Sequence, residues 1–540
     1  MSHKITAAEA LVKCLEAEGI KTIFGYPGAA ICPFYNKLID SKIEHILVRH
    51  EANAGHAANG YARLTGKPAV CVATSGPGAT NLITAIATAF MDSIPMVVIT
   101  GQVCTDQIGR DVFQEADITG AAQPFVKHSY LIKDAALIPE TVKKAFYIAG
   151  TGRPGPVLLD VPMDVQLQEI EFSYPESVEI SSYKPKCEGN KLQIKRVVET
   201  IKEAGKPLIC AGGGLFNAGA KDLLQSIAET ANIPVICTMM GISLMPHDHP
   251  LFLGMIGMHG KSAPNQAISE CDLLILLGAR VGDRAVTAIK NRDDLKVIHI
   301  DIDPAEIGKN LPVSVPVVGD LKAVLTQLSE VIERGNNVEW ISYLQDLKAR
   351  KSTPELHKNG VNPAAFIDKL SRLLPGKCVV SADVGQNQIW TANNIKLNGG
   401  RFITSGGMGT MGYSVPAAIG AKSAVPEYEV IAVCGDGSFQ MQSMELATML
   451  QHGINVKVII MANNRLGMVR EFQTNNYEDR QTAVFLDGSP DFVKLAAAYG
   501  IEGEYVNEIS EAEKALKNLI KSDKPYILQV KVDENEKSVI

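Results

Sequence analysis

The chain has 540 residues, 46% of them apolar, enough for about three to four domains with ordinary cores. Its 52 Lys and Arg stand against 59 Asp and Glu, a formal charge of -7 with no basic block of the kind that grips nucleic acid, so a polyanionic partner is excluded. The longest apolar runs, residues 94–100 and 273–278, are strand-sized and far short of the roughly 20 residues that span a bilayer, so no membrane partner is expected.

From the N-terminus, residues 1–10 carry no apolar signal core and 537–540 offer no prenylation cysteine, which predicts a cytoplasmic protein. Thr6-Ala7-Ala8-Glu9 reads as a capping box ahead of a helical pattern over 9–17. Short β-branched runs follow at 69–74, 96–100, 157–161, 273–277, 297–300, 430–434, 456–461 and 527–532, alternating with helical stretches. Such alternation implies parallel sheets covered by helices on both faces, the α/β class. Two stretches of low hydrophobicity, 171–189 and 335–363, divide the chain into three doubly wound parallel-sheet domains at 1–170, 190–335 and 360–535. The ten cysteines include no C-x-x-C pair, and they read as reduced core thiols.

In doubly wound sheets ligands gather at the carboxyl ends of strands, which directs attention to the polar residues there. The 430–434 strand runs into Gly435-Asp436-Gly437-Ser438, and the 456–461 strand runs into Asn463-Asn464. Asp436 and Asn463 are 27 positions apart, room for one helix between adjacent parallel strands, so both groups emerge on one sheet edge. A carboxylate and an amide oxygen, joined by a main-chain carbonyl and diphosphate oxygens, make the octahedral oxygen shell that Mg²⁺ prefers. The glycines let the backbone approach a diphosphate, and Ser438 with the following helix N-terminus supplies donors. A lone Gly-Asp-Gly is a common tight turn, and it is the paired Asn that favours a binding site.

This arrangement resembles the cofactor motif of thiamine-diphosphate enzymes, which also requires an early glutamate. Glu51, at the end of Leu47-Val48-Arg49-His50-Glu51, fits that role; the alternative is an acid favoured at a helix start by the macrodipole. The resemblance narrows to the acetolactate (acetohydroxyacid) synthase family on segments spread along the chain. They are Phe24-Gly25-Tyr26-Pro27-Gly28, Thr74-Ser75-Gly76-Pro77-Gly78-Ala79-Thr80-Asn81, Gly152-Arg153-Pro154-Gly155-Pro156-Val157, Leu277-Gly278-Ala279-Arg280, His299-Ile300-Asp301-Ile302-Asp303-Pro304 and Gly406-Gly407-Met408-Gly409-Thr410-Met411-Gly412.

The resemblance implies thiamine diphosphate, Mg²⁺ and a structural FAD as cofactors, and 2-keto acids as substrates. One pyruvate loses CO₂, and its two-carbon remainder joins a second pyruvate or 2-ketobutyrate. It implies that Glu51 acts on the aminopyrimidine of a coenzyme whose metal is held by another subunit, hence a homodimer or homotetramer, with a small regulatory subunit as a further partner. Gly385 and Gln386 then hold the diphosphate along with Gly435, Gly437 and Ser438; Gly409 and Met411 support the bend of the coenzyme. Asp436, Asn463 and the carbonyl of Arg465 hold the metal. Phe113, Gln114, Lys127, Met468 and Phe472 line the substrate channel. Arg153, Gly212, Gly213, His259, Gly260, Arg280, Asp301 and Asp320 surround FAD. By composition alone Met411 is a gap-filling core residue, Lys127 a solvated surface charge, and the glycine segments of the middle domain strand-end turns.

The chain departs from the commonest family pattern at several points. Ala29 stands in place of a glycine, Asn387 in place of a histidine beside the diphosphate, and Phe472 in place of a tryptophan that favours 2-ketobutyrate as acceptor. The Asn-Asn pair is shifted by one relative to the Leu-Gly-Met segment, and the tail after Val530 lacks a proline-containing lid. Two other readings stay open. One is a related thiamine-dependent decarboxylase, oxidase or carboligase, although the His-His pair of simple pyruvate decarboxylases is absent from the sequence. The other is an inactive regulatory paralogue, which has no physical need to keep Glu51, Asp436 and Asn463 together.

Overall fold

The structure, a computed structural model, describes residues 4–282, 289, 292, 294–350 and 359–538; the remainder of the polar 335–363 divide lies outside the described residues. It opens on a short strand, β1 (Lys4–Thr6), followed by helix Ala7–Ala17. Thr6 accepts the Glu9 N–H at 3.3 Å, so half of the expected capping box forms. The other half is replaced, because the Glu9 carboxylate turns to Lys13 and Lys37.

The first sheet contains β2 (Thr22–Tyr26), β3 (Glu44–Leu47), β4 (Ala69–Ala73), β5 (Met96–Gln102), β6 (His128–Leu131) and β7 (Pro156–Pro162). They lie parallel in the order β3-β2-β4-β5-β7-β6. A strand β8 (Glu169–Glu171) returns antiparallel to β1 and ties the start of the chain to the end of this unit. The middle sheet contains β9 (Pro207–Ala211), β10 (Val235–Cys237), β11 (Phe252–Met255), β12 (Leu273–Leu277), β13 (Lys296–Asp301) and β14 (Val315–Val318), in the order β11-β10-β9-β12-β13-β14. Numbered within its own unit this is 3-2-1-4-5-6, the dinucleotide-binding order. The last sheet contains β15 (Cys378–Ala382), β16 (Arg401–Thr404), β17 (Glu429–Gly435), β18 (Lys457–Ala462), β19 (Glu502–Val506) and β20 (Tyr526–Lys531), in the order β16-β15-β17-β18-β20-β19.

The fold is therefore α/β, with three parallel sheets flanked by helices. Their central strands are buried on both faces, which is why they read as unbroken apolar runs: all five residues of β12 are buried, as are all five of β4. Each such Leu, Ile or Val contributes about 1.5–3 kcal/mol on burial.

The first and last units meet along two helices, Glu51–Thr65 and Ser414–Ala424. The approach is reciprocal. A Cβ on Gly60 would stand 2.0 Å from the Ala417 carbonyl, and one on Gly420 would stand 1.8 Å from the Ala57 carbonyl. Only hydrogen fits at either position, so these two glycines set how closely the units carrying Glu51 and Asp436 can pack.

Candidate active site

At the carboxyl edge of the last sheet, β17 ends at Gly435 and Asp436 begins the next helix, so the side chain emerges at a strand end. Asp436 is 1% exposed. Its Oδ1 accepts from the Gly437 N–H at 2.8 Å and its Oδ2 from the Asn464 N–H at 2.6 Å, which brings the turns after β17 and β18 together. Burial pushes its carboxyl up to about 6 against the pull of these main-chain donors. Asn463 donates from Nδ2 to Gln386 Oε1 at 2.9 Å, which turns its own Oδ1 the other way. Asn464 takes the left-handed conformation, φ 54°, that asparagine tolerates best after glycine. Ser438 Oγ accepts from the Gly435 N–H at 3.1 Å and closes the Gly-Asp-Gly-Ser turn on itself. The sequence spacing thus brings Asp436 and Asn463 to neighbouring strand ends.

A third strand end belongs to the same edge. Gly385, φ 132°, follows β15, and the helix Gln386–Asn394 begins immediately after it. Gln386 spends its amide on Asn463 and on the Glu536 carbonyl at 2.7 Å. Asn387, the departure from the family's histidine, donates to the carbonyls of Asp383 and Val433 at 2.9 and 3.2 Å. Its amide therefore staples β15 to β17, leaving its oxygen facing Gly385 and Gly435.

Asp383 carries no motif, yet it organises the segment that contains Met411. Fully buried, it accepts from Val384 N–H at 2.9 Å, Gly412 N–H at 3.0 Å, Ser414 N–H at 2.8 Å and Gln442 Nε2 at 2.9 Å. Four donors compensate a buried carboxylate, and they fix the Gly409-to-Ser414 turn relative to β15. Gly409 takes φ 68° in that turn.

Glu51 begins the helix Glu51–Thr65 after the turn that follows β3, where His50 Nδ1 caps the Ala52 N–H at 3.2 Å. The Glu51 carboxylate does not cap; its Oε2 accepts from Asn81 Nδ2 at 2.9 Å, and Gly78 leaves room beside Oε1. It is half-buried and accessible at the mouth of the first unit's own strand edge.

Between the three units lies a cavity of about 1200 Å³, above the usual range for a single small ligand. Arg153, Gly213, His259, Arg280, Asp301 and Asp320 line it from one side, and Gly385, Gly409, Met411 and Met468 from the other. Gly212 sits directly behind: a Cβ there would meet the Gly278 carbonyl at 2.1 Å, so the turn after β9 packs on the end of β12. Gly260 is equally enclosed by the Met255 carbonyl at 2.5 Å. Asp301, at the end of β13, has its carboxyl pushed up to about 6 by burial, and Arg153 bridges to Asp303 and Glu306 at 3.0 and 2.9 Å. Asp320 lines the cavity while capping helix Leu321–Ser329 through the Ala323 N–H at 3.1 Å. Arg401, which no motif marked, also lines the cavity; its guanidinium stacks on the Phe216 ring, its Nε is buried with no hydrogen-bond partner among the described residues, and burial pushes its guanidinium well down.

Four residues expected near the substrate lie outside the lining of this cavity in the single chain. Phe113 is 88% exposed and Phe472 58% exposed, and neither these nor Gln114 lines the cavity of a single chain. Gln114 takes φ 59° and packs its backbone on Gly76. Lys127 is tied to the rim of the cavity: its ammonium donates to the carbonyls of Ile148 and Thr151 and to Tyr183 Oη, and burial pushes it down to about 8. The reason is local, because the helix Ile138–Gly150 ends there and its terminal carbonyls lack helical partners. This lysine is therefore no solvated surface charge; in the single chain it caps a helix C-terminus.

The chain matches three family models in sequence: thiamine pyrophosphate enzyme, N-terminal TPP binding domain, over residues 5–121; the central domain over 194–328; and the C-terminal TPP binding domain over 383–530. It is 47% identical to a probable acetolactate synthase large subunit of Methanocaldococcus jannaschii, across 98% of this chain and 92% of that protein. It is 42% identical to the acetolactate synthase large subunit of Corynebacterium glutamicum, across 99% and 88%. With the acetolactate synthase isozyme 3 large subunit of Escherichia coli it shares 41% identity across 98% and 96%. Three matched domains in the family's order, with likeness to these relatives running almost from end to end, establish that the chain belongs to the thiamine pyrophosphate enzyme family, among the acetolactate synthase large subunits.

Proposed function

We propose that this chain catalyses the acetolactate synthase reaction, in which two pyruvates give 2-acetolactate and one CO₂, or pyruvate and 2-ketobutyrate give 2-aceto-2-hydroxybutyrate and one CO₂. The observation that carries the reading is the pairing of end-to-end likeness to acetolactate synthases with Asp436 and Asn463 on adjacent strand ends. Asp436, Asn463 and the Arg465 carbonyl form an all-oxygen donor set suited to Mg²⁺. Gly385, Gly435, Gly437 and Ser438 lie at the same edge, where a diphosphate would take over the hydrogen bonds that the Gly-Asp-Gly-Ser turn now makes within itself. Thiamine diphosphate, when bound, supplies a carbon nucleophile and an electron sink. Glu51 holds and returns a proton at the coenzyme's aminopyrimidine, acting as an indirect base. Met411, held in its fixed turn, would support the bound coenzyme, and Met468, which lines the same cavity, would face the acceptor. Glu51 serves the coenzyme held by a second copy, so the active unit is at least a homodimer, with a separate small subunit as a further partner.

FAD is proposed for the large cavity. The middle sheet has the dinucleotide-binding order, its first strand ends in the Gly212-Gly213 turn, and Asp301 stands at a later strand end as a ribose acceptor. Arg153, His259, Gly260, Arg280 and Asp320 complete the enclosure. The flavin takes no part in net redox chemistry under this reading.

The test is product identity. Purified protein with pyruvate, thiamine diphosphate and Mg²⁺ is expected to form 2-acetolactate with one CO₂ per two pyruvates, and a mixed product when 2-ketobutyrate is added. Acetaldehyde as the main product, or acetate with electron transfer to an acceptor, would overturn it in favour of a decarboxylase or an oxidase.

A further inference from the structure

One buried carboxylate near the site has no place in the reaction as described. Glu445 begins the helix Glu445–Gln451, one turn beyond the Asp436 loop, and is 0% exposed. Its Oε1 accepts from the Arg49 N–H at 2.9 Å and from Asn53 Nδ2 at 2.8 Å; its Oε2 accepts from Thr448 Oγ1 at 2.6 Å. Arg49 and Asn53 flank Glu51 on both sides, two residues before and two after.

Glu445 does not act alone. His452 Nε2 accepts from the Leu47 N–H at 3.0 Å, Gln451 Oε1 accepts from Arg49 Nη2 at 2.6 Å, and Thr448 Oγ1 lies 3.1 Å from the Leu47 carbonyl. Residues 445, 448 and 452 recur at helical spacing, so one face of this helix grips the whole turn from Leu47 to Asn53. Glu51 itself is left out of the grip and reaches Asn81 instead. A clamp on both neighbours with the central carboxylate free is the arrangement that fixes a reacting group's position without using up its lone pairs. Leaving the Arg49 N–H and the Asn53 amide without an acceptor would also expose two buried donors, so the turn would have to move to satisfy them.

We infer that Glu445 is a positioning residue that holds the β3-to-helix turn so that the Glu51 carboxylate meets the aminopyrimidine of the coenzyme. This rests on the reading of Glu51 given above. Glu445 touches neither coenzyme nor substrate, and its effect passes through the backbone of Arg49 and the side chain of Asn53.

The experiment uses the full-length protein saturated with thiamine diphosphate and Mg²⁺, and measures exchange of the coenzyme C2 hydrogen with solvent deuterium after acid quench, alongside kcat and KM for pyruvate. Glu445→Ala is expected to slow exchange and kcat together by about 10-fold to 10²-fold, with KM within about twofold, because misplacement of a reacting group by about 1 Å costs that much. Glu445→Gln keeps an acceptor for Arg49 and Asn53, and is expected to restore exchange to within about threefold of the native rate, since it retains the geometry. Asn53→Ala leaves Glu445 two other donors and preserves the fold, with an expected slowing of about threefold to tenfold; it decides the matter if Glu445→Ala fails to fold. Native exchange rates in the folded, cofactor-saturated Ala variants would overturn the inference, as would Glu445→Gln exchanging as slowly as Glu445→Ala. Glu51→Gln is run in parallel: native exchange in that variant would sink the role given to Glu51 itself, a failure distinct from that of the clamp.

Discussion

The first and last sheets have the same strand order. Numbered within each unit, both run 2-1-3-4-6-5, yet they present different chemistry at the same edge. In the first, one half-buried carboxylate, Glu51, follows the second strand and keeps a single side-chain partner. In the last, Gly385, Asp436 and Asn463 follow the first, third and fourth strands, and Asp436 is buried and pinned by two main-chain donors. One topology builds two ledges; which strand ends carry polar groups, and how tightly those groups are held, separates the group proposed to move a proton from the groups proposed to hold a metal. Removing Asp436 would strip the last sheet of what distinguishes it. Asp436→Ala is expected to lower Mg²⁺ affinity by more than about 10²-fold, beyond the cost of losing a merely supporting partner, and to release thiamine diphosphate on dialysis. Metal content and coenzyme retained after gel filtration check it, and full retention of both would erase the distinction between the two edges.

Glu51→Gln tests the opposite ledge. Turnover is expected to fall by roughly 10² or more, with Mg²⁺ and coenzyme affinity close to native, because only the proton function is removed. Steady-state turnover beside a coenzyme titration separates the two. The Asp436 ledge was legible in the sequence, since its strands are continuous apolar runs and the 27-residue separation of Asp436 and Asn463 spans one helix, whereas Glu51 follows the short, half-polar strand Glu44–Leu47 and was marked by resemblance alone. What holds those residues was not legible. Asp383 and Glu445 act through donors remote in the chain, Ser414 and Gln442 for one, Arg49 and Asn53 for the other, and no local pattern marks a carboxylate whose partners arrive from another element. The surroundings of Lys127 were hidden for the same reason: its partners are carbonyls at a helix end more than twenty residues away. Motifs report residues that meet ligands, and the residues that meet the protein's own backbone are invisible until it folds.

The seam between the two units supplies a sharper, pH-dependent contrast. His56, on the Glu51 helix and 3% exposed, packs its ring 5.6 Å from that of Tyr413 and has no hydrogen-bond partner at Nδ1 among the described residues. Burial, with the nearby His50, pushes its imidazole down to about 4. In the unfolded chain the ring takes up a proton near pH 6.5, while in the folded chain it stays neutral until about pH 4. The unfolded state therefore binds the extra proton first, and stability is lost as pH falls through this window, by roughly 3 kcal/mol from this ring alone. His56→Leu should flatten the fall of the thermal midpoint between pH 6.5 and 4, and an unchanged slope would assign the acid lability to other groups.

The smallest expected change concerns acceptor choice, and it asks whether the last unit shapes substrate as well as metal. Phe472 lies one helical turn after Met468 on the helix Gly467–Asn476, so the two share a face, and Met468 lines the cavity. Phe472 is 58% exposed in a single chain, with its ring 5.9 Å from that of Tyr477. The family's tryptophan at this place favours 2-ketobutyrate, whose extra methylene over pyruvate needs an apolar surface to rest on. Phe472→Trp should raise the ratio of 2-aceto-2-hydroxybutyrate to 2-acetolactate by about tenfold at equal acceptor concentrations, the usual worth of one methylene in an apolar pocket, with total turnover within about threefold of native. Competition between the two acceptors, read from the product ratio, measures this directly. An unchanged ratio would mean that Phe472 stays clear of the acceptor and that Met468 and Val469, which line the cavity, define this wall of the pocket.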